Sequence, residues 1–348
     1  MVEFGKKVLK RIKLILLYWT KIVFVKNDFK SSIFTKIRAN LGGGFLADQY
    51  VLYDFKNNDK SEYLSEFDWY RSRYINEPFE VACNNKVICT EILKHHIRFA
   101  ENYFIKNKGH VLDFENGLRS HEDIYECLKE HKKLVIKPFA LGKGNGVHLF
   151  SMVGEQIYVD TDPYTKEDFI KFIEKRDRYV VCEYMKQHEY SDNIYDKTVN
   201  TIRFITMRDI NTHNFKVFFA VQRIGTKKTI PVDNGSKGGL VSKIDLETGE
   251  LSEARCLKTL DSYEVHPDSG NPIKGVVIPK WNEIKEEVLG VANKMPYMDF
   301  IAWDLLITED GVSVIEANTS SGVNIIQLWG GQKKGELGDF FRYHKVIK

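Results

Sequence analysis

Two apolar segments near the C-terminal end, joined through an Asp-Gly turn, constrain the fold more than any other feature of this chain. The segments are residues 300–306 and 313–318. An Asp-Gly pair between two apolar runs predicts a β-hairpin. Because side chains alternate between the two faces of a strand, Glu316 and Asn318 share a face, and Asp304 on the adjoining strand can face the same point.

These three side chains predict a metal site. Two carboxylates and one amide oxygen are hard ligands that suit Mg²⁺ when the ion also keeps water and binds substrate phosphates. One acidic residue in a strand is more often solvated or ion-paired. The complete pattern, followed directly by Thr319-Ser320-Ser321-Gly322, favours Asp304, Glu316 and Asn318 as magnesium ligands.

Length and composition indicate a folded protein of more than one subdomain, because 348 residues exceed what a single core usually holds. The net charge of +3 is the difference between 51 basic and 48 acidic residues, so no global field favours nucleic acid as a partner. Five cysteines without a C-x-x-C pair indicate reduced thiols and a cytoplasmic location.

A lysine and a glycine-rich loop predict a phosphate-binding hairpin. Lys137 ends the apolar strand 134–136, the loop spans residues 142–146, and residues 147–150 return as a strand. A compact ammonium charge and backbone N–H groups together suit a triphosphate. The loop lacks the Lys-Ser/Thr ending of a P-loop and does not open a helix as a dinucleotide-binding loop does.

Two further segments add candidate ligand contacts. Lys86 lies in the first turn of a helix predicted behind Asn84-Asn85. The buried strand 179–182 leads into Glu183-Tyr184-Met185, where backbone groups can meet an adenine edge while apolar side chains sandwich the ring. The alternative for this junction is a plain core strand.

The remaining pattern predicts an α+β protein with mostly antiparallel sheets and helices on one face. Predicted helices cover residues 122–131, 168–174 and 281–294, and predicted strands cover 201–207, 216–222 and 240–246.

The N-terminal residues predict a basic amphipathic helix. Five cations precede the apolar run 14–19, which is too short to span a bilayer, and no secretory cleavage site follows. These cations are Lys6, Lys7, Lys10, Arg11 and Lys13. Two interpretations stay open: a helix docked on the protein body, or residues 1–30 lying on the anionic inner face of the membrane.

Taken in order along the chain, Lys86, Lys137 with its glycine loop, the Glu183 junction and the C-terminal hairpin resemble the ATP-grasp family over roughly residues 81–330. Further segments resemble its sugar-transfer-associated branch, which is found among surface-polysaccharide genes. These segments are Asn200-Thr201-Ile202-Arg203, Gly238-Gly239, residues 245–249, His266-Pro267, Pro279-Lys280-Trp281 and Trp303-Asp304.

The resemblance implies an ATP-grasp fold, in which two α+β lobes grip ATP between antiparallel sheets, with an N-terminal helical extension. We divide the chain accordingly into four segments. They are the extension with its basic helix (1–80), a helical part (81–132), a lid lobe (133–182) and a C-terminal lobe with the metal site (183–348).

The resemblance also implies roles for single residues. Lys86 and Lys137 match the lysines that reach ATP phosphates, and Arg203 matches an arginine facing the phosphoryl group or the acceptor carboxylate. Gly142, Gly144 and Gly146 match the lid loop. Glu183, Tyr184 and Met185 match the hinge that reads adenine. Asp304, Glu316 and Asn318 match the magnesium ligands.

For the ribose, Gln187, His188 and Glu189 all lie in the stretch that follows the hinge, and Glu189 is preferred. Arg223 and Lys243 either complete a basic acceptor wall or form structural salt bridges; His188 and His266 are interpreted as local hydrogen-bonding residues.

The implied activity is an ADP-forming C–N ligase that uses ATP and Mg²⁺. Such an enzyme joins a carboxylate to an amine through an acylphosphate. The expected partners are an amine or amino acid and a carboxylate-bearing sugar or polysaccharide, such as a uronic acid. The alternatives are an ATP-dependent kinase that phosphorylates a sugar or small-molecule acceptor and a nucleotide-responsive, membrane-associated scaffold.

Overall fold

The computed structural model describes residues 2–115, 117–139 and 146–348, apart from the side chains of residues 2–4, 6 and 7. The α-helices in these ranges are α1 (Val2–Tyr18), α2 (Ile33–Leu41), α3 (Ala47–Leu52), α4 (Glu66–Ser72), α5 (Val81–Asn84), α6 (Lys86–Leu93), α7 (His121–His131), α8 (Lys166–Glu174), α9 (Glu189–Ile194), α10 (Trp281–Ala292), α11 (Val323–Gln327) and α12 (Glu336–Tyr343). A π-helical turn, Trp19–Val23, extends α1, and 3-10 turns cover Lys60–Glu62 and Gly235–Lys237.

The strands in the same ranges are β1 (Arg98–Phe99), β2 (Asn102–Asn107), β3 (His110–Asp113), β4 (Leu118–Arg119), β5 (Lys133–Pro138), β6 (His148–Val153), β7 (Gln156–Val159), β8 (Asp162–Tyr164), β9 (Tyr179–Glu183), β10 (Ile202–Arg208), β11 (Phe215–Ile224), β12 (Leu240–Ile244), β13 (Leu251–Cys256), β14 (Ser262–Tyr263), β15 (Phe300–Thr308) and β16 (Gly311–Asn318). They form sheet I, in the order β1-β16-β15-β10-β11-β12-β13-β14, and sheet II, in the order β4-β3-β2-β9-β5-β6-β7-β8. The described strands pair antiparallel except β1, which runs parallel to β16.

Both hairpins expected from the sequence form. β15 pairs antiparallel with β16, and Asp304 lies opposite Glu316. β5 pairs antiparallel with β6, from Lys133 opposite Ser151 to Ile136 opposite His148. The two sheets and their helices confirm the α+β prediction. The two hairpins were predictable because alternating apolar residues and tight turns specify such local pairings.

Helices cover sheet I on both faces, so the prediction of helices on one face is wrong for this sheet. Trp281 and Val288 of α10 pack on one face, while Phe340 and Phe341 of α12 pack on the other. The two cores arise because both side-chain sets of β10 and β15 are largely apolar. Sheet II packs α7 and α8 on one face, and its other face meets sheet I.

Residues 81–132, predicted as a helical segment, also contain β1 to β4. β2 pairs with β9 from Asn102 opposite Cys182 onward, so sheet II takes its first strands from before residue 133. Such short strands are stabilised by hydrogen bonds to strands that are distant in the sequence. Local periodicity does not reveal these pairings.

The N-terminal segment packs against the body through a buried polar network. Gln49 Nε2 donates to Asn324 Oδ1 at 2.7 Å, and Tyr53 Oη donates to the same oxygen at 2.6 Å. Gln327 Oε1 accepts from the backbone N–H of Leu64 at 2.7 Å. The basic helix α1 joins this docked segment, because Tyr18 Oη donates to Asn40 O at 2.8 Å. None of the described helices has the length and apolar content needed to cross a bilayer.

Candidate active site

Three neighbouring strands of sheet I bring the predicted metal ligands next to an arginine. Arg203 on β10 lies opposite Asp304 on β15, which in turn lies opposite Glu316 on β16. Asn318 follows on the same face, opposite Ala302. Since directly paired residues project from the same face of a sheet, this register alone aligns the four side chains.

Asp304 is buried, with 3% of its surface exposed, and two arginines bind it. Arg203 Nε donates to Oδ1 at 2.6 Å and Arg203 Nη2 to Oδ2 at 3.3 Å; Arg223 Nη2 donates to Oδ2 at 3.1 Å. Burial raises the pKa of Asp304, and the two guanidinium groups act in the opposite direction. These charge-assisted hydrogen bonds balance a carboxylate that burial would otherwise penalise.

Glu316 makes a second ion pair in the same row. Its Oε2 lies 2.8 Å from Lys86 Nζ, and Asn318 Nδ2 donates to its Oε1 at 3.2 Å. Burial by itself raises the pKa of Glu316, but Lys86 together with Asn318 and Arg203 lowers it to about 2. Glu316 is therefore an anion at neutral pH.

The two arginines have different surroundings. Arg203 Nη1 donates to Ser321 Oγ at 3.2 Å, in the loop directly after β16. Arg223 donates from Nε to Thr201 Oγ1 at 2.9 Å, and its Nε lies 3.5 Å from Asp233 Oδ2. Arg223 therefore has the structural salt bridges that the sequence left open as an alternative to an acceptor contact.

Lys243 lies apart from this cluster. It is exposed on β12, opposite Val221, and its backbone N–H donates to Ser252 Oγ at 3.0 Å. Val221 on β11 lies between Lys243 and Arg203 in this row of sheet I, so Lys243 is three strands from Asp304.

The start of α6 holds Lys86 in place. Asn85 Oδ1 accepts from the backbone N–H groups of Val87 and Ile88, both at 3.1 Å, which caps the helix. The neighbouring Asn84 accepts at Oδ1 from Thr319 N at 3.1 Å and donates from Nδ2 to Thr319 Oγ1 at 3.0 Å. The Asn84-Asn85 pair is a local signal for a helix start, but nothing in the sequence shows its contact with Thr319.

Replacing the cap tests its contribution to stability. Asn85→Ala removes both hydrogen bonds to the N-terminal turn, so the free energy of unfolding should fall by about 1 kcal/mol. Urea unfolding followed by circular dichroism measures this change. Asn85→Gly is the matched variant and should cost only a few tenths of a kcal/mol; equal losses in both variants would contradict the capping role.

Lys137 lies on β5, two residues after Val135, which packs in the cluster shared by the two sheets, and it is 8% exposed. Burial raises the pKa of the Cys182 thiol, while the hydrogen-bonded Lys137 ammonium group opposes that rise. Gly146 has φ of +73°, and a Cβ there would lie 3.0 Å from Pro138 Cγ, so this position favours glycine. Gly142 and Gly144 lie outside the described residues.

The predicted hinge combines a structural ion pair with an apolar wall. Glu183 Oε1 accepts from Arg98 Nη2 at 2.7 Å, and its Oε2 accepts from Glu101 N at 3.1 Å. Met185 is buried in an apolar cluster between the sheets, together with Leu306 and the partly buried Ile315. The half-buried Tyr184 lies beneath Lys133 Nζ, 4.8 Å from its ring centroid.

The three residues considered for the ribose differ in exposure. Gln187 is buried, and its Nε2 donates to Asp192 Oδ1 at 2.8 Å and to Thr198 O at 2.9 Å. His188 Nδ1 accepts from the backbone N–H of Tyr190 at 3.1 Å. Glu189 is exposed at the start of α9. Gln187 is thus engaged in local structure, whereas the Glu189 carboxylate is open to solvent.

His266 is engaged within the fold. Its Nε2 lies 2.8 Å from Gly225 O, and its ring stacks on Tyr195 with centroids 4.4 Å apart. Burial lowers its pKa. These contacts are those of a buried, neutral, hydrogen-bonded imidazole.

The donor set of the hairpin fits a magnesium ion by its chemistry. Across the described ranges, no group of three His, Cys, Asp or Glu side chains comes together as a metal cluster. The hairpin instead offers two carboxylates and one amide oxygen, a small set that suits an ion completed by water and phosphate. In this structure Lys86 and the two arginines balance the carboxylate charges.

Comparison with solved structures gives distant likenesses. An ATP-grasp ligase, PsnB, bound to a phosphomimetic precursor variant, Mg and ADP is 13% identical, with a TM-score of 0.41 over 78% of this chain and 61% of that one. D-alanyl-alanine synthetase A from Vibrio cholerae O1 biovar eltor str. N16961 is 12% identical, with a TM-score of 0.41 over 71% and 58%. An ADP complex of N5-carboxyaminoimidazole ribonucleotide synthetase is 12% identical, with a TM-score of 0.38 over 69% and 45%. The chain thus spans only about half the length of the last of these.

No curated protein matches the chain. The model of one family, described as sugar-transfer associated ATP-grasp, matches residues 67–335. This match begins within α4, before the predicted residue 81, and includes Lys86, Lys137, the predicted hinge and the complete β15–β16 hairpin. The chain belongs to the sugar-transfer associated ATP-grasp family.

Proposed function

We propose that this protein is an ADP-forming carboxylate–amine ligase that amidates a uronic acid or related sugar carboxylate in surface polysaccharide biosynthesis. The amine partner is an amino acid or a small amine. Family membership supplies the cofactors, ATP and Mg²⁺. The observation that carries the proposal is the row of Arg203, Asp304 and Glu316 across three strands, flanked by Lys86 and Asn318.

The charges in this row suit a reaction that handles phosphate and carboxylate groups together. Lys86 and Lys137 are compact ammonium charges, and Arg203 carries a planar fork that binds oxyanions. Asp304, Glu316 and Asn318 would hold Mg²⁺, which neutralises negative charge on the phosphates when bound.

The proposed chemistry needs no protein nucleophile. Lys137 and Lys86 orient the triphosphate, while Arg203 holds the acceptor carboxylate. A carboxylate oxygen attacks the γ-phosphorus, the bond to the β-phosphate oxygen breaks, and ADP leaves. The amine then attacks the acyl carbon and loses a proton, and inorganic phosphate departs. Fixed cations stabilise the negative charge of each step.

The activity is tested by measuring ADP release against a panel of uronic acids combined with amino acids and amines. Release should require both a carboxylate and an amine, and the product mass should equal the sum of the two substrates minus water. Turnover with a hydroxyl acceptor alone, giving a product heavier by one phosphate, would establish a kinase instead.

We place this reaction in the cytoplasm, beside the inner face of the membrane. ATP is available there. The enzyme would also be close to the lipid-linked acceptors of surface polysaccharide synthesis. The positively charged N-terminal residues support this location.

Replacing Lys137 tests the phosphate contact. Lys137→Met keeps the length of the side chain but removes its charge, so the dissociation constant for ATP should rise about tenfold or more, as loss of a buried charge-assisted contact predicts. Isothermal titration calorimetry measures the change.

Lys129→Met is the matched control, because Lys129 is exposed on α7 and pairs with Glu126 at 2.7 Å. This variant should bind ATP as the unaltered protein does. Unchanged ATP affinity in Lys137→Met would remove Lys137 from the nucleotide site.

A further inference from the structure

Helix α1 docks on the protein through one face. Lys10 Nζ lies 3.2 Å from Glu77 Oε2, Tyr18 Oη donates to Asn40 O at 2.8 Å, and the Tyr18 ring meets Phe67 edge-on with centroids 5.3 Å apart. Lys10, Tyr18 and the fully buried Ile22 follow one another at intervals of eight and four residues. This spacing places them on one side of the helix.

The opposite face of α1 is apolar and exposed. Leu9, Ile12, Leu16 and Trp19 repeat at intervals of three and four residues, and Leu9 is 60% exposed. A helix that only docks on a protein body carries polar residues on its outer face. Here the outer stripe is apolar and is covered by nothing within the described residues.

Helix α2 repeats this arrangement. Ala39 faces inward and is fully buried, whereas Phe34, Ile37 and Leu41 are exposed, Phe34 by 80%. The hydrogen bond from Tyr18 to Asn40 joins the two helices directly. We call the exposed side chains the N-terminal apolar surface: Leu9, Ile12, Ile15, Leu16, Trp19, Ile33, Phe34, Ile37 and Leu41. Exposed apolar groups of this number on two helices joined by a hydrogen bond indicate an interaction surface.

Cations border both stripes. By helical spacing, Arg11 and Lys13 flank the stripe of α1, and Lys36 and Arg38 flank that of α2. Residues 8–41 contain eight Lys or Arg and one acid, Asp28, which pairs with Lys258. A second copy of the same surface would bring like charges together, whereas an anionic bilayer complements both the cations and the apolar groups.

We propose that α1 and α2 together form a docking surface for an anionic phospholipid bilayer. The helices lie along the interface, insert the N-terminal apolar surface below the headgroups, and place the bordering cations beside lipid phosphates. The expectation from the sequence concerned residues 1–30 alone; the structure adds α2 as an equal part of the surface. This inference rests on α1 and α2 and is independent of the proposed ligase activity.

Vesicle co-sedimentation of the full-length protein tests the surface. Phosphatidylcholine vesicles containing phosphatidylglycerol should bind the protein, and vesicles of phosphatidylcholine alone should bind it much less. Ile12→Ser with Leu16→Ser, and separately Phe34→Ser with Leu41→Ser, should each weaken binding about tenfold or more. Each Lys or Arg beside an anionic leaflet strengthens binding about fivefold, so Arg11→Gln with Lys13→Gln and Arg38→Gln should weaken it about a hundredfold.

The matched control is Leu118→Ser with Val153→Ser, because these side chains are 70% and 67% exposed on sheet II, away from α1 and α2. This variant should bind vesicles as the unaltered protein does, and circular dichroism should show that every variant is folded.

Normal binding of the α2 variant would overturn the two-helix surface. Equal binding to both kinds of vesicle would overturn the role of charge. Failure of the unaltered protein to bind vesicles, with dimers in analytical ultracentrifugation, would assign the surface to a second copy of the chain.

Discussion

The Glu316→Gln variant is expected to lose ATP-dependent turnover by about a hundredfold to a thousandfold, the range seen when one preorganised charge-stabilising group is removed. Glutamine has the same shape but cannot carry the charge that Lys86 and the proposed magnesium ion both require. The rate of ADP release at saturating ATP, with Mg²⁺ present, is the measurement. The assay uses the carboxylate and the amine that the substrate panel identifies.

Glu264→Gln provides the control for this experiment. Glu264 also pairs with a lysine, Lys274 at 2.6 Å, but its side chain is 68% exposed. It directly follows β14, which lies six strands from β16 in sheet I. An exposed pair of this kind contributes little, so turnover should be unchanged. If both variants kept normal turnover, Glu316 would have no part in the reaction.

The Asp304→Asn variant should lower the free energy of unfolding by about 3 kcal/mol or more, because it leaves two guanidinium groups in a buried site without their carboxylate. Arg203 and Arg223 direct three hydrogen bonds at Asp304, which is almost inaccessible to solvent. Urea unfolding, followed by tryptophan fluorescence, measures the loss. Magnesium-dependent nucleotide binding should weaken in the same variant, since a proposed ligand loses its charge.

A second aspartate–arginine pair supplies the matched control. Asp299 Oδ1 accepts from Arg208 Nε at 3.0 Å, but its side chain is 35% exposed. Since solvent screens this pair, Asp299→Asn should cost less than about 1 kcal/mol. Losses of equal size at the two positions would show that burial of Asp304 is not what makes its pairing important.

The sequence correctly predicts the local features of the fold. The β15–β16 hairpin follows from two alternating apolar runs and an Asp-Gly turn, and the helix at Lys86 follows from a capping asparagine. Each signal spans fewer than about 20 residues, within which turn chemistry and side-chain alternation specify the pairing.

The sequence does not predict the contacts between residues that are distant along the chain. Arg223 reaches Asp304 across 81 positions, and Asn84 reaches Thr319 across 235. The sequence offered Arg223 equally as an acceptor contact or a structural cation. The fold brings Thr201, Asp233 and Asp304 around the Arg223 guanidinium group, and these structural partners come from parts of the chain that local periodicity does not connect.

The sequence by itself determined the family, the α+β class and the grouping of the oxygen donors Asp304, Glu316 and Asn318, because these three side chains lie on one hairpin whose register is local. The tertiary structure decided which cations balance those carboxylates, since Lys86, Arg203 and Arg223 come from three other elements. It also decided that α1 docks through Lys10 and Tyr18 while Leu9 and Leu16 remain outside. Amphipathic spacing shows that a helix has two faces, but only packing against the rest of the chain determines which face is covered.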